Sequence, residues 1–303
     1  MTRLSRLRRQ RPLDLFFTAI VVTLCTLVVI VTIYPLFFVI IASISDPARV
    51  ATGDVVFFPR GISWFGYEQI LQDERIWTGY RNTLVYSLVG TALNLVVTMP
   101  AAYALSRSEF IWRRPIMLFF AFTMFFSGGL IPTYLLYKDI GLLDNWLVFI
   151  LPSALNVYNL IIARAFFENS LPNELFEAEM LDGASYFQFF VRIALPLSKA
   201  IIAVIALYYL VQHWNDFFTG LIFVRDAQKQ PLQIVLRDIL LSNQAFAGGA
   251  GGSGGSGGGE YGQRFADQIK YGVIVVSTLP LIILYPFLQR YFDKGVMIGS
   301  VKG

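Results

Sequence analysis

From Leu15 to Ile44 the chain runs for about 30 residues without one Asp, Glu, Lys or Arg, longer than the ~20 residues an α-helix needs to cross the hydrocarbon core of a bilayer. A soluble helix keeps a charged or polar face for water, and this run has no charged one. Five more apolar runs follow, at Thr83–Leu105, Pro115–Tyr137, Trp146–Ala165, Leu197–Phe217 and Tyr271–Tyr291. The pattern therefore predicts an all-α integral membrane protein with six spans in a single domain, residues 1–303. Composition agrees, with 56 % hydrophobic and 15 % charged residues, well under the roughly 25 % charged content of soluble domains. The N-terminal "MTRLSRLRRQRPLDL" resembles the basic start of a signal peptide. The run behind it is too long for an h-region of about 7–15 residues and lacks an A-x-A site, which predicts an uncleaved first span with Pro35 as a kink or tilt point.

Orientation follows from the basic residues. With the N-terminus in the cytoplasm, Arg3, Arg6, Arg8, Arg9, Arg11, Arg107, Arg113, Arg114, Arg164, Arg192, Lys199, Arg290, Lys294 and Lys302 fall inside, the side favoured for cations. Both termini are then cytoplasmic (1–14 and 293–303). Residues 46–80 and 219–268 face outward, and residues 166–196 form a cytoplasmic loop. Trp112, Tyr137, Trp146, Trp214, Tyr271 and Tyr291 mark span ends, where amphipathic rings sit at headgroup depth.

Several function classes drop out. The basic residues form no stripe interleaved with aromatics, so the formal charge of +4 is no nucleic-acid footprint. One cysteine, Cys25, and one histidine, His213, exclude disulfides and a thiolate metal site and leave no metal-ligand set. Away from their terminal turns, which hold Arg164, Lys199, Asp216 and Arg290, the runs carry no ionisable acid or base. That counts against a proton- or sodium-coupled carrier. The chain has no Gly-Lys pair and hence no P-loop; if ATP drives it, a partner binds the ATP.

The loop "SLPNELFEAEMLDGASYFQFFVRIALP" is longer than a turn between spans requires. Pro172 suits a helix start, Glu174 and Glu177 suit its first turns, and Gly183 suits its stop, which predicts a helix over Pro172–Asp182. Its apolar residues Leu175, Phe176, Ala178, Met180 and Leu181 are spread around the axis, so more than one face wants cover. A second helical piece runs from Gly183 to the fifth span at Pro196. A helix lying on lipid headgroups would be basic; Glu174, Glu177, Glu179 and Asp182 point to a cytoplasmic protein partner.

Glu177, Ala178, Gly183, Ile193, Leu195 and Pro196 have the spacing E-A-A-x3-G-x9-I-x-L-P, and this resembles the coupling-loop signature of ABC importer permeases. Glu179 departs from the pattern where the family has a second alanine. "NTLVYSLVGTALNLVVTMPAAYALSR" (Asn82–Arg107) is similar to the second-span signature of carbohydrate-uptake permeases, and "GVMIGSVKG" resembles the tail of the smaller permease of the maltose importer. "FFSGGLIPTYLLYKDIGLLDN", "HWNDFFTGLIFVRD" and "PLQIVLRDIL" look most like the oligosaccharide, aldouronate and alginate subfamily. The resemblance implies a six-span type I permease in a bacterial inner membrane, paired with a second related permease, two ATP-binding subunits that carry ATP and Mg, and an extracytoplasmic solute-binding protein. This chain would be a non-enzymatic subunit without cofactor or metal, importing carbohydrate, with Glu177, Ala178, Glu179, Asp182, Gly183 and Ala184 as its ATPase-coupling segment. Two other classes stay open: a membrane scaffold that recruits a cytoplasmic partner, and a self-sufficient carrier.

Tyr208, Gln212 and Asn215 recur at i, i+4 and i+7, placing a phenol and two amides on one helix face. That chemistry suits sugar rings and hydroxyls; hydrogen bonding to neighbouring helices is the plainer alternative. Asn82 with Tyr86, and Asn156 with Asn159, are further pathway candidates. His213 is expected to be structural, since no nucleophile or metal set accompanies it. The glycine-rich stretch 248–259, with Gly251, Gly254 and Gly257, is a spacer or insertion by composition, and by resemblance a loop that reaches the binding protein. Lys302 and Gly303 end a tail that by default frays and by resemblance touches the ATPase subunits.

Overall fold

The computed structural model describes residues 12–247, 269–283 and 286. Helices α1 (Pro12–Ser43), α2 (Pro47–Ala51), α3 (Phe65–Gln72) and α4 (Glu74–Ser106) come first. They are followed by α5 (Arg113–Phe125), α6 (Leu130–Asp139), α7 (Val157–Ser170), α8 (Asn173–Leu181), α9 (Tyr186–Leu197, with a π-helical stretch over Phe190–Ala194) and α10 (Lys199–Trp214). Helices α11 (Phe218–Phe223), α12 (Leu232–Ala247) and α13 (Ile269–Ile283) complete the order. Two compact units result: Met1–Gln72 with Leu240–Val276, and Asp73–Ile239 with Ser277–Gly303.

In the first unit, α1 is exposed along nearly its whole apolar length, as suits a helix facing lipid. Its threonines hide their hydroxyls in the helix itself: Thr18 donates to the Asp14 carbonyl (2.7 Å), Thr26 to Val22 (2.8 Å) and Thr32 to Val28 (2.9 Å). Hydrocarbon offers no water for such groups, so this internal bonding is what makes them tolerable. The helix continues through Pro35. Beyond it, Asp46 caps α2 by accepting from the Ala48 amide (2.8 Å), and the Ser43 hydroxyl meets that of Tyr67 (2.8 Å).

The second unit is built around α4, which packs against α7 and α10. The face α4 buries is small and polar: Thr83, Ser87, Gly90, Thr91, Asn94 and Thr98. Membrane helices lack a hydrophobic drive toward each other, and small residues let their backbones approach while hydroxyls and amides bond across the gap. Asp73 starts α4 by accepting from the Arg75 amide (3.0 Å) and pairing with the Arg75 guanidinium (2.6 Å). The hydrogen bond from that guanidinium holds the Asp73 carboxyl below its ordinary range. A depressed folded-state value means that the contribution is whole above the unfolded value of about 3.9 and is lost as pH falls through the folded value. The pair is largely exposed, so the cap dominates: Asp73→Ala will destabilise α4 by about 1 kcal/mol at pH 7. Melting curves of the two proteins in detergent will converge as the pH is lowered.

Several expected boundaries are corrected. Two described helices are long and apolar enough to cross a membrane alone, Phe16–Ser43 and Glu74–Ser106. The latter begins well before the expected Thr83, because Asp73 supplies a cap inside what was read as the loop 46–80. The run expected as one span over Pro115–Tyr137 is two helices, α5 and α6, set at 112° where Gly128 and Gly129 interrupt it. The run over Trp146–Ala165 is a 3₁₀ turn (Trp146–Phe149), an irregular stretch around Pro152, and then α7, which Asn156 caps and which continues to Ser170. The fifth run breaks at Ser198, with α9 and α10 at 81°. Within 219–268, α11, a 3₁₀ turn over Ala227–Lys229 and α12 occupy the described part.

Candidate functional site

The cytoplasmic-loop helix predicted for Pro172–Asp182 is α8, with Pro172 as its extended N-cap and Asp182 as its C-cap. Gly183 follows at φ 86°. Its amide donates to the Met180 carbonyl (3.1 Å) and the Ala184 amide to the Glu179 carbonyl (3.0 Å), the paired bonds of a Schellman cap. The spacing of Glu179 and Gly183 thus has a direct physical meaning, since the third residue of the motif supplies the carbonyl and glycine supplies the left-handed turn. Two residues later Ser185 and Gln188 form a capping box that starts α9 (Gln188 amide to Ser185 Oγ 3.2 Å; Ser185 amide to Gln188 Oε1 2.9 Å). Two helices, each closed by its own hydrogen bonds, meet at a joint two residues long.

One face of α8 is anchored. The Phe176 ring is buried and lies 5.2 Å, edge on, from that of Phe189 and 5.3 Å from that of Tyr186. The Arg107 guanidinium, from just past the end of α4, sits 5.6 Å from the Phe176 ring and 5.0 Å from that of Tyr103. Tyr103 in turn contacts Phe167 of α7 and Phe190 of α9. The other face is open: Glu174, Glu177, Ala178 and Asp182 are exposed, and Leu181 is 90 % exposed. Glu179 and Ala184 are half-buried and Gly183 exposed.

From this ring cluster a continuous apolar core runs through Met99, Ala102, Ile201 and Ile205 to Tyr209. The Tyr209 hydroxyl meets that of Thr98 (2.7 Å) and accepts from the Asn156 amide (3.0 Å). One turn on, the buried His213 ring shares a hydrogen bond with Asn94 (2.7 Å), and the Asn94 amide donates to the Ser153 carbonyl. His213 is a packing residue between α10 and α4.

The structure sorts the predicted pathway residues. Tyr208, Gln212 and Asn215 lie on the face of α10 opposite this seam and are exposed, Tyr208 by 40 %. Asn156 joins them, its amide 3.5 Å from Gln212 Oε1, while its own oxygen caps α7 by accepting from the Tyr158 and Asn159 amides (2.9 and 3.3 Å). Asn159 is buried. Asn82 and Tyr86 are buried too and are committed elsewhere. Asn82 donates to the carbonyls of Gln228 (2.7 Å) and Gln230 (3.0 Å), and Tyr86 to that of Lys229 (3.0 Å). They tie a loop to α4, because a loop carbonyl without a partner would be costly there. Asn82→Ala removes two of these bonds at about 1–3 kcal/mol, and hydrogen exchange over residues 227–232 will speed up accordingly. Gly251, Gly254, Gly257, Lys302 and Gly303 lie outside the described residues.

Sequence reasoning missed three residues. Asp144, at φ 55°, accepts from the Arg225 and Asp226 amides (3.1 and 2.9 Å) and organises that same loop. Arg107 and Tyr103 were read as a topology marker and a span residue; nothing local in the sequence distinguishes a buried arginine from an interfacial one. No cluster of His, Cys, Asp and Glu among the described residues could hold a metal.

Residues 76–298 match the family described as "Binding-protein-dependent transport system inner membrane component". The chain belongs to this family. It is therefore a non-catalytic, multi-pass inner-membrane permease subunit of an ABC transporter, a class that works with ATPase and solute-binding partners. Among its relatives, Protein LplC of Bacillus subtilis is 40 % identical over 273 residues, 90 % of each chain. The polygalacturonan/rhamnogalacturonan transport system permease protein YtcP of the same organism is 36 % identical, over 90 % of this chain and 94 % of its own. Among solved structures, a bacterial ABC transporter involved in the import of the acidic polysaccharide alginate superposes with a TM-score of 0.82 at 32 % identity, covering 93 % of this chain and 99 % of that one. These relatives agree with the carbohydrate-uptake resemblance of the span and tail motifs.

Proposed function

We propose that this permease forms half of the pore of an ATP-driven importer for acidic oligo- or polysaccharide, uronate-type chains such as polygalacturonate or alginate, and that α8 is where ATPase motion enters. The observation that carries the coupling reading is the two-sidedness of α8: it is locked through Phe176 to the ends of α4, α7 and α9, while Leu181 and the acidic residues beside it stand uncovered. Glu177, Ala178, Glu179, Asp182, Gly183 and Ala184 are the contact segment. A push on α8 reaches α4 through Arg107 and Tyr103, and the core behind them ends at Tyr209 and Asn156, next to Gln212. Tyr208, Gln212, Asn215 and Asn156 are the pathway groups of this chain; Asn82, Tyr86 and Asn159 serve by packing.

The partners are a second related permease, two ATP-binding subunits and a solute-binding protein, with both termini of this chain in the cytoplasm. By resemblance to the maltose system, the second permease holds most of the sugar. The stretch containing Gly251, Gly254 and Gly257 reaches the binding protein in this reading, and the tail ending in Lys302 and Gly303 reaches the ATPases. What supports the substrate class is that two independent relatives, YtcP and the solved alginate importer, are named for acidic polysaccharides. The test is uptake into proteoliposomes holding the assembled transporter, its binding protein and internal ATP. Oligogalacturonate or oligoalginate will be imported and maltose will not. Import of neutral sugars alone overturns the substrate class, and gradient-driven uptake without ATP overturns the coupling.

A further inference from the structure

The end of α4 nearest α8 carries a cavity of about 380 Å³. Its walls are mostly apolar, with Pro100, Ala104, Phe110, Phe187 and Phe190 among them. Two polar groups interrupt that lining, and both lack a partner. Arg107 is only 6 % exposed, and its Nε–H has no acceptor; Tyr103 is also 6 % exposed, and its hydroxyl is likewise unpaired. The rings of Tyr103 and Phe176 cover the face of the guanidinium but cannot take its in-plane N–H bonds. A buried cation left in this state is expensive. Two donors converging on one apolar cavity call for an acceptor that brings negative charge and hydrocarbon together.

We propose that this cavity holds the phosphate of an anionic phospholipid, with Arg107 and Tyr103 donating to the phosphate oxygens and the acyl chain lying along Phe110, Phe187 and Phe190. The depth suits a headgroup: Ile111 (87 % exposed) and Trp112 (64 % exposed) lie next in the chain, followed by Arg113 and Arg114, the aromatic and basic pattern of a membrane interface. Guanidinium matches phosphate oxygens in geometry and charge. Inorganic phosphate presents the same oxygens but leaves the apolar walls uncovered, which is why a lipid is the better occupant. Glu109 also lines the cavity. It is exposed and accepts from Ser108 Oγ (3.1 Å), so it opposes a bound phosphate and weakens the site without filling it. None of this depends on the substrate or on α8 contacting an ATPase.

The probe is phosphatidylglycerol, titrated against phosphatidylcholine onto the delipidated, assembled transporter and read by native mass spectrometry. The expected result is one tightly retained phosphatidylglycerol, bound about tenfold more weakly by Arg107→Gln and less severely weakened by Tyr103→Phe. Glu109→Gln will retain it at least as tightly as the unaltered transporter. Phe187 is 74 % exposed, so Phe187→Glu leaves the core intact and places a carboxylate at the mouth; it will expel the lipid even if Arg107→Gln fails to fold. Retention unchanged in Phe187→Glu overturns the proposal, as does indifference to headgroup charge. Displacement of phosphatidylglycerol by millimolar inorganic phosphate would mean a free-anion site, and no retained lipid would mean that a protein carboxylate closes the cavity in the assembly; both overturn it as well.

Discussion

Gly183→Val will leave the transporter assembled and hydrolysing ATP but will cut the solute moved per ATP by about tenfold or more. Gly183 sits at φ 86°, where an L residue is strained by about 1–2 kcal/mol and a β-branched one by more, and ~1.4 kcal/mol is already a factor of ten. A Cβ at this position would meet nothing within 4 Å in this chain, so no clash inside the permease accounts for the effect. The strain falls on the Schellman cap and reorients α9 against α8. Gly183→Asn is the control, because asparagine tolerates the left-handed region. It will keep most of the coupling if the turn is what matters and lose it if the ATPase packs directly on this backbone. ATPase and uptake rates from one proteoliposome preparation give the ratio.

Gly90→Ala will damage the fold itself. The added Cβ would lie 2.5 Å from His213 Nε2, 2.6 Å from Cε1 and 2.9 Å from Cδ2, and the ring cannot swing away without breaking its bond to Asn94. Overpacking of this kind costs about 1–3 kcal/mol, a serious loss where folding stability is only ~5–15 kcal/mol. The melting temperature in detergent will fall. Combining Gly90→Ala with His213→Ala will recover part of the loss, and the double variant will be more stable than the sum of the two single effects. Purely additive losses would show that the α4–α10 seam yields elsewhere.

The coupling loop was the most legible part of the sequence. An acidic helix start, Glu179 and Gly183 at cap spacing, and Ser185 with Gln188 each encode a local hydrogen bond, and local bonds are what spacing reveals. The spans were less so. Apolar content marks a stretch as membrane-borne but not as one unbroken helix, and the interruptions at Gly128–Gly129, Pro152 and Ser198 sit within apolar runs. The face of α10 was harder still. Ile201, Ile205, Tyr209 and His213 follow the helix period as well as Tyr208, Gln212 and Asn215 do, and only the tertiary contacts with α4 show that the first set is buried. Asn82 and Tyr86 looked like sugar-binding groups because their acceptors, the carbonyls of residues 228–230, lie more than 140 positions away.

The central claim is that ATPase work enters this permease through α8. Leu181 is the most exposed apolar residue of that helix, so a cysteine there, with Cys25 changed to serine, offers a single reactive thiol. In the assembled transporter, a short thiol-to-amine cross-linker at position 181 is expected to capture an ATPase subunit and to abolish uptake. A transporter that imports its solute at full ATP-coupled rate while position 181 never cross-links to an ATPase would contradict the account.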